Sequence, residues 1–299
     1  MLLEKQIIQD FKHKSNHQLR VCVAGKITDV LYMNRWNIES KIIKLSKDYY
    51  LIKSTGETKQ FQHSENRAEN ENSFKQTFAR LRNLINANTQ DISKCKWITL
   101  TYSENMTDPI RLNKDFKKFI RSMRKEFGVF EYIQASEPQE RGAWHIHLLM
   151  IFDNTAPFIA NNRLSDIWGQ GFTKTKKLDP NNDNVGAYLT AYMTDVELTP
   201  ETREESINRE IIIKQVDGKS KKIIKGGRLY MYPPGFNFYT ASRGVKRPVT
   251  EWDFEIELHK KIGSANPTFE KTVSYKIEKD GLCKEVLVNR RQYKSIISH

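Results

Sequence analysis

Residues 129–137 read VFEYIQASE and residues 145–152 read HIHLLMIF, with PQERGAW (138–144) between them. Both outer runs are rich in the β-branched and aromatic residues that suit a pleated surface. The proline and glycine of the middle run make it a loop, so the whole reads as an antiparallel hairpin with a longer connection. Upstream, KWITLTY (96–102) alternates as a further strand. From Asp115 to Phe127, the residues Phe116, Ile120, Met123 and Phe127 share one helical face, and Gly128 supplies the stop. Downstream, a short helix around Leu164 to Trp168 leads to a turn at Gly169 and Gly171. The run DPNNDN (179–184) then offers turn chemistry and N-caps for a helix from about Val185 to Val196. Strands and helices interleave, but hairpins replace strict strand–helix–strand alternation. The expected class is α+β with a central antiparallel sheet and flanking helices.

Outside this centre the signals are sparser. VCVA (21–24) and YYLI (49–52) are expected strands, and QHSENRAENEN (62–72) reads as a polar loop or linker. Ser73 to Asn86 is an expected helix whose stripe is Phe74, Phe78, Leu81 and Ile85. Residues 198–227 are charged and read as an exposed insertion, while 228–248 are dense in aromatic and basic side chains. In the tail, FEIEL (254–258), VSYKI (273–277) and VLV (286–288) are expected strands. No period of 20–50 residues recurs, which excludes solenoids and propellers.

The composition restricts the partners. Lys and Arg number 49 against 36 Asp and Glu in 299 residues, a net charge of +13. Such an excess favours a polyanion, nucleic acid above all. A membrane partner is not expected, because no apolar run nears the roughly 20 residues of a spanning helix. The charged start, MLLEK, does not read as a signal peptide. Cys22, Cys95 and Cys283 are scattered and read as unpaired thiols in a reducing cytoplasm.

Three features carry chemistry. In His145-Ile146-His147, alternate strand residues share a face, so two imidazoles project together and can chelate one divalent ion. An isolated His-x-His is a weak signal, and two surface histidines would look the same. Glu137 ends the partner strand, and its carboxylate would complete a mixed N/O set suited to Mn²⁺ or Mg²⁺; Gln139 and Glu140 in the loop are alternatives. Tyr188 and Tyr192 stand four apart on the expected helix, on one face. Aromatic pairs at this spacing commonly serve packing. A phenol is also a competent nucleophile toward phosphate, provided that a cation helps it at neutral pH.

Taken together, Ile98-Thr-Leu-Thr, the run from Glu137 to His147, and Tyr188-x-x-x-Tyr192 resemble the rolling-circle replication initiators (Rep) of the HUH endonuclease superfamily. The likeness covers roughly residues 95–248. The tyrosine pair looks like the two-tyrosine type found in phage, plasmid and integrative-element replication proteins. The resemblance implies a ferredoxin-like or RRM-like core, residues 91–249, with the HUH strand in the middle of its sheet. Residues 1–90 would then be an N-terminal accessory region and 250–299 a C-terminal extension. It also implies metal-assisted nicking of single-stranded origin DNA, with a 5′-phosphotyrosyl link on a tyrosine, a free 3′-hydroxyl primer and later rejoining without ATP. Tyr188 matches the position of the nucleophile in single-tyrosine relatives. The family often has lysine inside and just after the tyrosine pair, where this chain has Ala191 and Asp195. That role falls to Lys174, Lys176, Lys177, Arg228 or Arg243, which with Arg141 and Lys246 form the expected DNA-binding set.

No Gly-x-x-x-x-Gly-Lys-Ser/Thr occurs, so a host helicase and polymerase are expected partners. The rival readings are a conjugative relaxase or two-tyrosine transposase, and a non-catalytic DNA-binding regulator that uses the basic surface alone. Relaxases usually add a third histidine, and the nearest others here are His63 and His259. The oligomeric state is not legible in the sequence.

Overall fold

The computed structural model describes residues 2–35, 40–63, 71–190, 193–200, 202, 210–216, 219–279 and 282–294. The chain forms two compact units: Glu65–Pro248, and a unit built from both ends, Met1–Ser64 with Val249–His299. The expected segments were 1–90, 91–249 and 250–299. In the structure, strands from both ends lie in one sheet, and residues 71–88 fall in the central unit.

The terminal unit begins with β1 (Leu2–Ile8), β2 (Gln18–Ala24) and β3 (Ile27–Met33), then a small sheet of β4 (Ile42–Lys44), β5 (Tyr49–Ile52) and β6 (Thr58–Gln60). The central unit runs α1 (Glu71–Asn88), β7 (Cys95–Thr101), α2 (Pro109–Phe127), β8 (Glu131–Pro138), β9 (Trp144–Ile151), α3 (Asn161–Trp168), β10 (Thr173–Lys176) and α4 (Val185–Thr190). It continues with β11 (Val196–Glu197), β12 (Ile211–Val216), β13 (Lys219–Ile224) and β14 (Tyr239–Ala241). The chain then returns to the terminal unit with β15 (Val249–Phe254), α5 (Glu255–Ile262), β16 (Phe269–Lys279) and β17 (Leu282–Lys294).

The terminal unit is a six-stranded sheet in the order β1-β16-β17-β3-β2-β15, antiparallel throughout. One face buries Leu19, Val21, Val30 and Tyr293 against Leu258 and Ile262 of α5. The expected strand 254–258 is mostly the start of that helix. Its alternation is outweighed by a helical period that puts Glu255, Leu258 and Ile262 on the buried side. Glu255 and Glu257 in the first turn and His259, Lys260 and Lys261 in the last also suit the helix dipole. Arg291 meets Glu255 through two 2.6 Å hydrogen bonds in this core.

In the central unit the order β10-β7-β9-β8-β14 is antiparallel, and β9 lies in the middle. β7-α2-β8-β9-α3-β10 is the β-α-β-β-α-β ferredoxin-like arrangement. Ile98, Leu100, Ile146, Leu148 and Met150 are fully buried on one face. α2 covers that face, Phe116 meeting Tyr132 edge-on at 5.4 Å, and Trp168 of α3 packs on Tyr102 and Phe119. α2 begins six residues before the expected start, because Asp108 caps it, accepting from Ile110 N at 2.7 Å, and Pro109 occupies its first turn.

Two other expectations change. The helix expected to reach Val196 is described as helix only over Val185–Thr190; Thr194 has φ 67° and Val196 is already in a strand. The expected exposed insertion contains the three-stranded sheet β11-β13-β12, with Ile223 and Ile224 buried. Most of the expected loop 62–72 lies outside the described residues. None of the three cysteines is in a disulfide, and burial, with Asp91 adding to it, pushes the Cys95 thiol up to about 12. Among the described residues no helix is long and apolar enough to cross a membrane.

Candidate active site

The strand β9 separates two chemistries by alternation. Ile146 and Leu148 enter the core on one side, so His145 and His147 project from the other. The register sets their neighbours: His145 lies between Thr101 and Glu137, and His147 between Thr99 and Ala135. The small Ala135 and Thr99 leave space above the second imidazole. The His145 and His147 ring centroids are 4.6 Å apart, and Trp97 stacks nearly parallel on His147 at 5.6 Å.

Glu137 is the hub. Its Oε2 accepts from His147 Nε2 at 3.0 Å. Its Oε1 meets an Arg228 guanidinium nitrogen at 2.5 Å and accepts from Thr194 N at 3.1 Å. Burial alone would raise this carboxyl, but the His147 hydrogen bond, Arg228 and the Thr194 amide outweigh it and hold it below the usual carboxylate range. His145 shares its Nδ1 with the Thr101 hydroxyl at 3.2 Å, which leaves Nε2 as its nitrogen for a ligand. Burial, then the nearby His147, push His145 down to about 3 against the pull of Glu137, so its ring is neutral at pH 7. His147 Nδ1 is buried without a hydrogen-bond partner.

These groups open into a cavity of about 940 Å³ whose walls include Lys174, Lys176, Lys177, Tyr188 and Arg141. Lys174 and Lys176 alternate on β10 beside Thr99 and Trp97, and therefore face the histidines' side of the sheet. Tyr188 is 42% exposed, and Lys176 Nζ lies 4.3 Å from its ring centroid.

The helix that carries Tyr188 is clamped to α1. Asn86 Oδ1 accepts from Gly186 N at 2.7 Å, and Asn86 Nδ2 donates to Asn184 Oδ1 at 2.9 Å. Asn184 in turn accepts from Ala187 N, so it is the cap that the DPNNDN run supplies. The two helices cross so closely that a Cβ on Gly186 would lie 2.3 Å from Arg82 O. Gly186→Ala is therefore expected to cost about 1–3 kcal/mol of stability through overpacking, measured as a lower denaturant midpoint. An unchanged midpoint would show that the helices do not approach this closely.

The structure brings together Glu137, His145, His147, Tyr188, Arg141, Lys174, Lys176, Lys177 and Arg228 around one cavity, along with Gln139 and Glu140. Arg228 meets Glu137 and also donates to Asp195 O and Pro138 O, so it is spent on holding the site. Arg141 is tied to Tyr102 O and Ser103 O. Arg243 and Lys246 are exposed but line no part of the cavity. Gly244, between them, bonds Glu131 at the opposite end of β8, about 20 Å from Glu137 at 3.3 Å per residue. Tyr192 and Ala191 lie outside the described residues. Asp195 accepts from Gly226 N and pairs with Lys225 at 3.7 Å. Sequence reasoning missed Trp97, Thr101, Thr194 and the Asn86 clamp, none of which belongs to a short-range pattern.

The donor set fits a small divalent cation in kind: two imidazoles and a carboxylate on one sheet face. His147 Nε2 and Glu137 Oε2 are 3.0 Å apart. Neighbouring ligand atoms on an octahedral cation with bonds of about 2.1 Å stand about 3 Å apart. Among the described residues no three His, Cys, Asp or Glu side chains are set to hold a metal ion as they stand. The reason is that Glu137 is turned toward Arg228 and His147, and it must exchange one of these bonds to become a ligand.

Residues 95–197 match the model of a family described as Replication-associated protein ORF2 (gene-two protein). That span, roughly a third of the chain, runs from β7 to β11 and includes Glu137, His145, His147 and Tyr188. The match supports a protein of DNA replication, an initiator in class. No curated protein and no solved structure matches the chain.

Proposed function

We propose that the chain is a rolling-circle replication initiator of the two-tyrosine HUH type, which nicks single-stranded origin DNA by transesterification and later rejoins it. The observation that carries this reading is the convergence of His145, His147, Glu137 and Tyr188 on one basic cavity. His145, His147 and Glu137 would hold Mn²⁺ or Mg²⁺. When bound, the cation supplies Lewis-acid polarisation of the scissile phosphate.

The rest of the chemistry falls to side chains of the chain. Lys174, Lys176 and Lys177 bind the backbone phosphates and orient the strand across the sheet. Tyr188 Oη attacks phosphorus and loses its proton, the bond from phosphorus to the 3′-oxygen breaks, and that oxygen takes up a proton. The bond energy stays in the phosphotyrosine, so the reverse step reseals DNA without ATP. Lys176, 4.3 Å from the Tyr188 ring centroid, supplies the positive charge that the family pattern would draw from a lysine near the tyrosine pair. Tyr192 is the second nucleophile, and a host helicase and polymerase open and extend the strand.

The test mixes the full chain, Mn²⁺ and single-stranded oligonucleotides that tile the cognate origin. The expected result is an SDS-resistant adduct, lost on addition of EDTA, whose phosphotyrosine maps to the peptide containing Tyr188. Absence of an adduct on every origin strand would overturn the nicking reading in favour of a binding module.

A further inference from the structure

The six-stranded sheet of the terminal unit sorts its charges by face. The registers put Trp252, Arg20, Leu31, Arg290 and Lys271 in one row across β15, β2, β3, β17 and β16. By strand alternation the same face carries Lys5, Lys284 and Lys294, and its one acid is Asp29, which accepts from Gln292 Nε2. The opposite face carries Glu4, Glu251, Asp253, Glu270, Glu278 and Glu285, and its two bases, Lys276 and Arg291, are each paired with an acid. The basic face also keeps large apolar side chains in solvent: Trp252 and Phe254 are each 49% exposed, and Phe269 is 51% exposed. Arg20, Lys271 and Arg290 are exposed between them.

Burial of the acidic face against α5 explains why that side holds the core; it does not explain why the bases gather on the other. We infer that this face is a second single-stranded DNA-binding surface, in which Trp252 stacks an unpaired base and Arg20, Arg290 and Lys271 hold the adjoining phosphates. Flat aromatic rings beside cations are the means by which a sheet binds unpaired bases without reading sequence. The row spans five strands, about 19 Å at 4.8 Å per strand, enough for a short run of nucleotides. Exposed aromatics favour unpaired bases over a duplex, whose bases offer no open ring faces. The surface is independent of the nicking reading, since it uses no residue of the cavity.

The test measures binding of the full chain to a labelled oligothymidylate of about 20 nucleotides by anisotropy across a salt series. The variant Arg20→Gln/Lys271→Gln/Arg290→Gln is expected to bind at least about tenfold more weakly. Its log–log salt slope is expected to fall by about 2, for three phosphate contacts at 0.7 each. Trp252→Ala is expected to weaken binding about five- to 100-fold, with most of the loss restored by Trp252→Phe. The control His145→Ala/His147→Ala is expected to bind as the unaltered chain does, even if the adduct assay is blank. Unchanged affinity and slope in the triple variant would overturn the inference, as would a loss confined to duplex DNA. Photocross-linking of the unaltered chain to a bromodeoxyuridine oligonucleotide gives a second readout that needs no variant. Cross-links in the β15 peptide support the surface, and cross-links confined to the central unit overturn it.

Discussion

The double variant His145→Ala/His147→Ala is expected to form covalent adduct at least about a thousandfold more slowly than the unaltered chain, while its affinity for single-stranded DNA stays within about twofold. The first number follows from the size of Lewis-acid stabilisation, several kcal/mol, at 1.36 kcal/mol per tenfold in rate. The second follows because DNA affinity rests mainly on phosphate contacts from Lys and Arg. The His145 ring, held down to about 3 by burial, brings no charge to such a contact at neutral pH. Both side chains emerge from a rigid central strand and are flanked by Thr101 and Thr99, so truncation leaves the sheet register intact. Adduct formation in saturating Mn²⁺ and anisotropy at fixed salt measure the two quantities. Adduct at the unaltered rate would remove the cation from the proposal, and a parallel collapse of binding would mean that the histidines hold the fold.

The core of the fold was legible because its signals are local. Alternation in KWITLTY and HIHLLMIF, the Pro-Gly loop between the hairpin strands and the stop at Gly128 each act within a few residues. Those signals correctly give β7, α2, β8 and β9, with β9 at the centre as the family resemblance implied. The terminal unit was not legible. Its sheet joins β2 and β3 to β15 and β17, more than 200 residues apart, and no short pattern records such a pairing. FEIEL failed for another reason: an alternating run was judged as a strand, whereas Glu255 is buried by its ion pair with Arg291 and so behaves as a core position.

The site divides in the same way. His145, His147 and Glu137 share a hairpin, and their meeting follows from strand geometry alone. That Lys176 reaches Tyr188 depends on β10 lying beside β7 while α4 crosses above, which only the folded chain reveals. Arg228 was expected on DNA because a basic residue in an aromatic-rich run usually faces solvent. In the structure a buried carboxylate claims it.

That claim sets the largest stability effect in the central unit. Arg228→Ala is expected to lower the unfolding free energy by about 3–5 kcal/mol, the cost of removing one partner of a buried ion pair. Glu137 would keep its Thr194 and His147 bonds but lose the charge that offsets desolvation, leaving burial to raise its carboxyl. The carbonyls of Asp195 and Pro138 would also lose their donor, loosening the chain that follows the tyrosine helix. Adding Glu137→Gln should recover a large part of the loss, because a neutral amide no longer demands a cation; Arg228→Lys should fall between, keeping charge without the guanidinium fork. Denaturant unfolding in EDTA gives the double-mutant cycle free of any bound ion. If the two single losses simply add, Arg228 and Glu137 are not coupled, and the guanidinium is available to DNA instead. If they couple strongly, a cation that recruits Glu137 must do so against Arg228, and Arg228→Ala should bind Mn²⁺ more tightly than the unaltered chain even as it unfolds more easily.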